Sequence, residues 1–488
     1  MSLQHTSLNA TLTPVRVSTA PDIVQYRNIK FASISERLTH SKSINDWNGA
    51  SIGSEKHGPR CPQVYYDLNT LFRIPAEQAP SWVEPEDEFE CLNLHVTVPA
   101  GVKAGDNVPV LMWLHGGSLV ASCCGAKSGV NDPTKLVAKS VEDGTPIIFV
   151  AINYRLGFLG FAHIDDELTN FGLFDQKHAI EWVHRHIHGF GGDASNITLG
   201  GESAGAIATH FHTLSAHSSL LKRVILQSGT ATTIPAQPVP VGEFFRNKLF
   251  AELSVSNIDE FRKLEATEIC RAQQAIGVNT IFPVATGSFW SKEPWRGEVL
   301  IGDVEKEYSL FTTGITSLSA PAIEFPDVPA SKAILDGYGN NLDGVLKFSG
   351  DAKFNYHTEM YHREFLRDSP KTYRYLFDAP NPFVPELGAH HAVDLLYLFG
   401  GVQLSARQEA LGDAMRRIWV RFVAGVEPWN KEGLEKVLVI DADGCRVRDA
   451  EEVKKRRNAE QWKVLEELGW EAVSKVIGEV VRGKIRFE

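Results

Sequence analysis

Cysteine is scarce in this chain, and its scarcity limits what can hold the fold together. Six cysteines occur among 488 residues, too few for the disulfide framework of a small secreted domain. None lies in a Cys-x-x-Cys pair or a His/Cys cluster with zinc-ligand spacing, so we expect no metal and no cofactor. A hydrophobic content of 43% over this length predicts a large buried core instead.

The chain also lacks long apolar runs and an excess of positive charge. No stretch approaches the ~18 apolar residues of a membrane-spanning helix, and residues 1–18 lack the apolar core of a secretory signal. We therefore expect no membrane span and a cytoplasmic location, or secretion if a leader has been removed. A formal net charge of −11 argues against nucleic acid as a partner. The oligomeric state stays open.

Strand and helix patterns alternate along most of the chain. The alternating residues 91–98 and the apolar runs 108–114 and 146–152 predict strands, the last two of the kind buried on both faces. Residues 174–188 have helical periodicity, and residues 239–281 have the pattern of helices with no strand between them. This alternation predicts an α/β fold, with a mostly parallel sheet, helices on both faces and a helical insertion.

No repeat, low-complexity tract or linker divides the chain. We therefore expect one domain over residues 1–488. Within it, residues 1–21 are polar and are predicted to form a loose leader.

A serine between two glycines follows one of these strand patterns. Residues 201–205 read Gly-Glu-Ser-Ala-Gly, a G-x-S-x-G sequence with Ser203 at its centre. In a nucleophile elbow the small residues let strand and helix pack closely around a strained turn, so that the serine hydroxyl projects from the sheet edge. The motif alone leaves a plain strand-to-helix turn as an equal alternative, because glycine and serine are also ordinary loop residues.

Several short motifs accompany this one in a fixed order. They are Gly58-Pro59-Arg60-Cys61-Pro62-Gln63, Glu90-Cys91-Leu92-Asn93-Leu94, Asn153-Tyr154-Arg155-Leu156-Gly157, Asn170 to Gln176, Phe190-Gly191-Gly192-Asp193 and Gln227-Ser228-Gly229. With them, the sequence resembles the type-B carboxylesterases, the cholinesterase-like branch of the α/β-hydrolases, over residues 23–429. The resemblance implies one α/β-hydrolase domain with a large twisted central sheet, serine-esterase chemistry and a small-molecule ester as substrate.

The nucleophile Ser203 needs a base and an orienting acid, because a free hydroxyl is a poor nucleophile. The resemblance places the histidine eight positions before Phe399, which selects His391 over its neighbour His390. Ser203 would attack the ester carbonyl, His391 would act as general base and acid, and water would release the acyl group.

Three acidic residues crowd the segment after Gly302. The resemblance places the triad acid five positions after this glycine, at Glu307, where it would hold the histidine tautomer. Asp303 and Glu305 are interpreted as surface residues whose neutralisation changes stability by no more than about 0.5 kcal/mol.

Residues 115–118 read His-Gly-Gly-Ser and resemble the glycine-rich loop of the family. The resemblance implies that the backbone N–H groups of Gly117, Ser118 and Ala204 form the oxyanion hole. Ser118 departs from the family, which most often has a third glycine here. The backbone N–H of Ser118 is retained, but its side chain occupies space where the family most often has none. The size of the acyl group that fits and the geometry of the loop therefore stay open.

Other matched positions are interpreted as scaffolding. Glu202, Ser228 and Asp394 correspond to a polar network behind the triad, and Arg155 and Asp175 correspond to a buried ion pair. We expect both groups to support the site without taking part in the reaction.

Cys61 and Cys91 match the two family positions that form a loop-closing disulfide. The missing secretory signal argues for a reducing compartment, so their redox state stays open. We expect their Cα atoms to lie roughly 4.4–6.8 Å apart, close enough to bond. The other cysteines are expected to be free thiols: Cys123, Cys124, Cys270 and Cys445.

Two other functions stay open. The triad would serve equally for hydrolysis or acyl transfer on a lactone, thioester, amide or carbamate. The second alternative is a non-catalytic binding protein of cholinesterase-like fold, although such relatives typically lose the nucleophile that this chain keeps. No choline site can be assigned, because the flanks of Trp82 do not resemble the family's choline-stacking segment.

Overall fold

One large sheet organises the computed structural model, which describes residues 2–65, 71–79, 84–122, 130–291, 293–311, 329–431 and 436–481. Its strands are β1 (Val15–Val17), β2 (Ala20–Lys30), β3 (Asn93–Pro99), β4 (Val108–Leu114), β5 (Ile148–Ile152), β6 (Gly192–Glu202), β7 (Arg223–Gln227), β8 (Glu298–Val304), β9 (Thr372–Phe377), β10 (Lys436–Asp441) and β11 (Gly444–Asp449). In space they follow the order β11-β10-β9-β8-β7-β6-β4-β5-β3-β2-β1.

The centre of this sheet is parallel. Every neighbouring pair from β10 to β5 in the spatial order runs parallel. The remaining pairs, at the two ends of the sheet, are antiparallel. This arrangement confirms the predicted α/β fold with a mostly parallel sheet. The carboxyl ends of the parallel strands share one edge, where their loops bring distant residues together.

Helices connect the strands and cover both faces. They are α1 (Thr134–Glu142), α2 (Gly157–Phe161), α3 (Phe171–His186), α4 (Ala204–Thr213), α5 (Val239–Glu252), α6 (Ile258–Arg262), α7 (Ala266–Ala275), α8 (Pro329–Tyr338), α9 (Leu342–Gly350), α10 (Tyr356–Asp368), α11 (Asp394–Phe399), α12 (Ala406–Val423), α13 (Glu451–Arg456), α14 (Trp462–Leu468) and α15 (Trp470–Val481). The predicted helical insertion corresponds to α5, α6 and α7. Within the described ranges, no helix has both the length and the apolar character to cross a membrane.

The side chains of β4 show how the sheet separates two hydrophobic cores. Val110, Met112 and Leu114 belong to the core on one face, and Leu111 and Trp113 belong to the core on the other. Successive side chains of a strand point to opposite faces, so a strand buried on both sides needs a continuous apolar run. Each large apolar side chain buried in this way contributes about 1.5–3 kcal/mol to folding. A third cluster packs α14 and α15 against β10.

The first residues of the chain are folded. A separate three-stranded sheet contains Leu3–His5, Ala10–Thr13 and Ala50–Gly53. Leu8 and Leu12 are fully buried, and β1 joins the edge of the main sheet. The prediction of a loose leader over residues 1–21 is therefore wrong, because its few apolar residues are spaced to face the core. A single domain over residues 1–488 stays a prediction.

The predicted ion pair joins the loop after β5 to α3. Arg155 Nε and Nη2 each donate to a different carboxylate oxygen of Asp175 at 2.8 Å. Both side chains are fully buried. The pairing confirms the predicted contact, and its two parallel hydrogen bonds fix the orientation of the loop.

Candidate active site

The G-x-S-x-G sequence forms a sharp turn between a strand and a helix. β6 ends at Glu202 and α4 begins at Ala204, so Ser203 alone makes the turn. Its backbone has φ 55° and ψ −123°, a strained combination that costs on the order of 1–3 kcal/mol. Gly205 allows the close approach of strand and helix, because a Cβ there would overlap the carbonyl of Leu114.

The three candidate triad residues follow different parallel strands. Ser203 follows β6, Glu307 lies three residues beyond β8, and His391 lies in the loop after β9. The backbone N–H of His391 donates to Ser309 Oγ at 3.0 Å, which ties that loop to the segment that carries the acid. All three residues therefore reach the same edge of the sheet.

His391 and Glu307 form a buried hydrogen-bonded pair. The ring Nδ1 donates to Glu307 Oε2 at 2.5 Å, and Glu307 Oε1 accepts the N–H of Val304 at 3.0 Å. At most 2% of either side chain is exposed. Because the bond to Glu307 keeps the proton on Nδ1, the neutral ring presents an unprotonated Nε2, as a general base requires.

The Nε2 side of this ring faces a second carboxyl group. Nε2 lies 3.2 Å from Glu202 Oε1. No described residue, Ser203 included, forms a hydrogen bond with Nε2. The structure therefore joins two of the three candidate triad residues and leaves the contact between Ser203 and His391 unmade. Catalytic hydrogen bonds are often long or poorly aligned before a substrate binds.

Burial and neighbouring charge change the acid–base behaviour of this cluster. Burial raises the pKa of Glu202, and it raises the pKa of Asp394 to about 6. Burial alone would lower the pKa of His391, but the carboxylates of Glu202 and Glu307 outweigh it and raise that pKa above its ordinary value. The cluster thus stabilises an imidazolium, the species that forms when a histidine acts as general base.

The neighbouring His390 has both ring nitrogens occupied. Its Nδ1 donates to the carbonyl of His391 at 2.9 Å, and its Nε2 accepts from Asn381 Nδ2 at 2.8 Å. Burial lowers the pKa of His390 to about 4, so its ring stays neutral. His390 therefore supports the loop and is not available as a base.

Neither Asp303 nor Glu305 forms a hydrogen bond or an ion pair with His391. Asp303 is fully buried, where it pairs with Arg374 and accepts from Arg457 Nε at 2.7 Å. Glu305 is exposed. The interpretation of Asp303 as a surface residue is wrong, because its partners come from segments 71 and 154 positions away along the chain.

The loop after β4 places backbone donors beside the serine. A Cβ on Gly116 would lie 3.2 Å from the Cβ of Ser203, so the loop lies directly against the candidate nucleophile. The N–H groups of Gly117, Ser118 and Ala204 donate to no acceptor in the described part of the chain. Three unpaired donors close to a serine can bind a developing negative oxygen.

Backbone conformation sets the direction of these donors. Gly117, Ser118 and Leu119 have φ values of 101°, 56° and 61°. The Gly117 carbonyl accepts from the N–H of Val120 at 2.9 Å. Because a trans peptide points its C=O and N–H in opposite directions, the Ser118 N–H points away from that bond. Ser118 holds a left-handed conformation that suits glycine better.

Gln227 holds Asp394 in place behind the candidate triad. The sequence alone predicts no role for Gln227. Its Nε2 donates to Asp394 Oδ2 at 2.9 Å, and its Oε1 accepts from Trp419 Nε1 at 2.8 Å. Asp394 Oδ1 and Ser228 Oγ have no hydrogen-bond partner among the described residues. The Gln-Ser-Gly motif is the sequence signal that marks Gln227.

Phe354 lies beside the candidate base. Its ring centroid is 4.9 Å from that of His391. It belongs to a single π-helical turn, Asp351–Asn355, a feature that often occurs at functional sites. Asn355 Nδ2 donates to the carbonyl of Val304 at 3.1 Å and ties this turn to the end of β8. No sequence pattern marks Phe354, because helical periodicity does not detect a one-turn π-helix.

Cys61 and Cys91 are buried free thiols in this structure. Burial and the neighbouring Cys91 thiol raise the pKa of Cys61. The Sγ of Cys61 also accepts the N–H of Leu156 at 3.3 Å. The implied disulfide is therefore not formed, although the thiols are in contact. The expected separation of their Cα atoms stays a prediction.

Several remaining predictions concern residues away from this site. Cys270 and Cys445 are free thiols, as predicted. Cys123, Cys124 and Trp82 lie outside the described residues. Within the described ranges, no group of three or more His, Cys, Asp or Glu side chains is placed to hold a metal ion.

Comparison with known proteins shows what this chain is similar to. The profile of the Carboxylesterase family matches residues 11–302. Lipase 3 of Yarrowia lipolytica is 30% identical over 503 residues, which cover 98% of this chain and 99% of that protein. The inactive carboxylesterase-like protein VdtD of Byssochlamys spectabilis is 39% identical over 203 residues, which cover 41% of this chain and 33% of that protein. A solved thermophilic PNB esterase matches 94% of this chain and 99% of its own with a TM-score of 0.75 and 19% identity, which confirms the fold.

Proposed function

This chain belongs to the carboxylesterase family and is a carboxylic ester hydrolase, and we propose that it works through an acyl-enzyme formed on Ser203. The observation that carries the proposal is the buried pair of His391 and Glu307 beside the strained turn at Ser203. The turn exposes a hydroxyl at the sheet edge, and the pair supplies a base whose tautomer is fixed.

Acylation begins when Ser203 Oγ attacks the ester carbonyl carbon. His391 Nε2, which lies 3.2 Å from Glu202 Oε1 in this structure, takes the hydroxyl proton while Nδ1 stays bonded to Glu307. The resulting imidazolium is stabilised by the carboxylates of Glu307 and Glu202. The alcohol then leaves with the proton from His391, and water repeats the sequence to release the acid.

The tetrahedral intermediate directs its negative oxygen toward the loop after β4. The unpaired N–H groups of Gly117, Ser118 and Ala204 are the donors that we assign to it. Donors that are already oriented need no reorganisation as charge develops, and removing one costs about 10²–10³ in kcat in a well-studied serine hydrolase.

The substrate in this proposal is a small-molecule carboxylic ester. Relatives named lipases support an ester over a lactone, thioester, amide or carbamate. Ser118 lies two residues after Gly116, which approaches the candidate nucleophile, and it is the residue that we expect to limit acyl size. A cytoplasmic location is part of the same proposal, and cell fractionation tests it against secretion.

A non-catalytic role is the alternative that one comparison raises, because a relative is named an inactive carboxylesterase-like protein. This chain keeps a serine at the elbow, and its candidate base and acid are hydrogen-bonded to each other. These features favour catalysis over binding alone.

Replacing the candidate nucleophile tests the proposal. Ser203→Ala should abolish both the turnover of p-nitrophenyl esters and labelling by an organophosphonate probe. Ser195→Ala is the matched control, because Ser195 is an exposed serine on the same strand, and it should change neither. Labelling that persists in Ser203→Ala would show that another residue is the nucleophile. A wild-type protein that neither labels nor turns over esters of any chain length would favour the non-catalytic role.

A further inference from the structure

The oxyanion loop (residues 116–119) is held from outside by two backbone N–H groups. The Ser118 carbonyl accepts from the N–H of Ile281 at 3.3 Å, and the Leu119 carbonyl accepts from the N–H of Gly157 at 2.8 Å. Gly157 begins α2, whereas Ile281 follows the helical insertion. The orientation of the loop therefore depends on two segments that lie far apart in the sequence.

Gln273 connects these two segments. It is the third-last residue of α7, and 2% of it is exposed. Its Oε1 accepts from the N–H of Phe158 at 3.1 Å, and its Nε2 donates to the carbonyl of Val278 at 3.1 Å. The side-chain amide of Gln273 thus bonds two segments at once. One is Phe158, which follows Gly157, and the other is Val278, in the turn before Ile281.

Close packing reinforces this connection. Gly157 has a φ of +54°, and a Cβ on it would overlap Gln273 Oε1. The backbone N–H of Val278 donates to the main-chain carbonyl of Gln273 at 3.1 Å, so side chain and main chain hold the same turn. The Gln273 amide is therefore fixed in position on both sides.

We propose that Gln273 is a positioning residue for the oxyanion hole, an inference that rests on the proposed acyl-enzyme mechanism. Through Gly157 and Ile281, it holds the carbonyls of Leu119 and Ser118. Both loop residues have left-handed backbones, and such conformations persist only where the surrounding structure enforces them. Without Gln273 the loop relaxes, and its N–H groups no longer point at the developing oxyanion.

Gln273→Met tests the proposal, because it removes both amide groups at similar side-chain length. We expect kcat and kcat/KM to fall by the same factor, on the order of 10- to 100-fold, with KM unchanged. The affinity for a trifluoromethyl ketone that mimics the tetrahedral intermediate should fall by a similar factor. Gln274→Met is the matched control, an exposed glutamine on the same helix, and should change none of these values.

Gln273→Glu adds a measurement that a loss of stability alone would not produce. A protonated carboxyl group can accept from Phe158 and donate to Val278, as the amide does, whereas a carboxylate can only accept. Burial favours the protonated form. The kcat of this variant, divided by that of the unchanged protein at each pH, should therefore rise as the pH falls. The ratio cancels the titration of His391, which both proteins share.

Three results would overturn the positioning role and leave the Ser203 mechanism intact. They are unchanged kinetics in Gln273→Met, an effect on KM alone, and a pH-independent ratio in Gln273→Glu. If Gln273→Met does not fold, the pH dependence of the kcat ratio between Gln273→Glu and the unchanged protein decides whether Gln273 positions the loop. A wild-type protein without Ser203-dependent turnover would overturn the proposed function itself, and this inference with it.

Discussion

Two loops flank the candidate active site, and they are held in different ways. The acid loop (residues 303–309, which include the last two residues of β8) is anchored by buried charges. Asp303 pairs with Arg374 and Arg457 at one end, and the candidate triad acid bonds the histidine further along. The oxyanion loop is held by hydrogen bonds to its backbone carbonyls. A buried charge that loses its partner lowers the stability of the folded protein. A backbone hydrogen bond, in contrast, does not depend on the side chain of its residue. We therefore expect neutralisation of a buried carboxylate to damage the acid loop, and side-chain changes to be tolerated in the oxyanion loop.

The largest expected effect is on catalysis in the acid loop. Glu307→Gln keeps the shape of the side chain but favours the wrong tautomer of His391, and the equivalent change in a well-studied serine hydrolase costs on the order of 10⁴ in kcat. Steady-state kinetics with p-nitrophenyl acetate measure this loss. Glu305→Gln, an exposed neighbour, is the control and should be nearly wild type. If Glu305→Gln proves to be the crippling change, the alignment of this loop is wrong by two residues.

The next effect is on stability in the same loop. Asp303→Asn removes the carboxylate that the buried Arg374 and Arg457 share. Arg457 keeps its pair with Asp378, so we expect a loss of about 3 kcal/mol in the free energy of unfolding, the low end for a broken buried ion pair. Urea denaturation measures it, with Glu305→Gln expected to stay within about 0.5 kcal/mol of wild type. Equal stabilities for the two variants would show that the charges of Asp303 do not anchor the loop.

Glu202 lies beside the oxyanion loop and His391, and its replacement should change the pH dependence of the rate. The carboxylates of Glu202 and Glu307 raise the pKa of His391, and a general base works only when neutral, so kcat/KM should fall as the pH drops through this raised value. Glu202→Gln removes one of the two charges and should move the acidic limb of the profile to lower pH. Glu305→Gln should leave the limb in place. An unchanged limb in Glu202→Gln would mean that Glu202 does not act on the histidine.

The smallest expected effect is in the oxyanion loop. Ser118→Gly relieves the left-handed backbone at this residue while increasing the freedom of the unfolded chain, so the free energy of unfolding should change by no more than about 1 kcal/mol. We expect kcat/KM for long-chain p-nitrophenyl esters to rise relative to the acetate. An equal loss at every chain length would instead show that Ser118 shapes the loop itself.

The parts of the site that the sequence predicts correctly are local. The turn at Ser203 comes from five consecutive residues, whose small side chains allow strand and helix to approach each other. The resemblance to the family selects Glu307 and His391 by their spacing from Gly302 and Phe399, and the two side chains are hydrogen-bonded to each other in the structure. Short motifs carry such relations, because neighbouring residues fix the backbone between them.

Contacts between distant segments account for what the sequence did not predict. The partners of Asp303 lie 71 and 154 positions away, and those of Gln227 lie 167 and 192 positions away. The early strand Ala10–Thr13 pairs with Ala50–Gly53, some 40 positions away, so the polar composition of this region hides its place in a sheet. Periodicity within a window of residues does not detect such pairs.

The most direct measurement is to identify the residue that carries the acyl group during turnover. A slowly deacylating substrate, p-nitrophenyl dimethylcarbamate, is mixed with the enzyme, the reaction is quenched with acid, and the digested protein is mapped by mass spectrometry. We predict a burst of p-nitrophenol equal to the enzyme concentration and a single carbamoyl group on Ser203. A carbamoyl group on any other residue, or steady turnover of p-nitrophenyl acetate by Ser203→Ala, would contradict the mechanism.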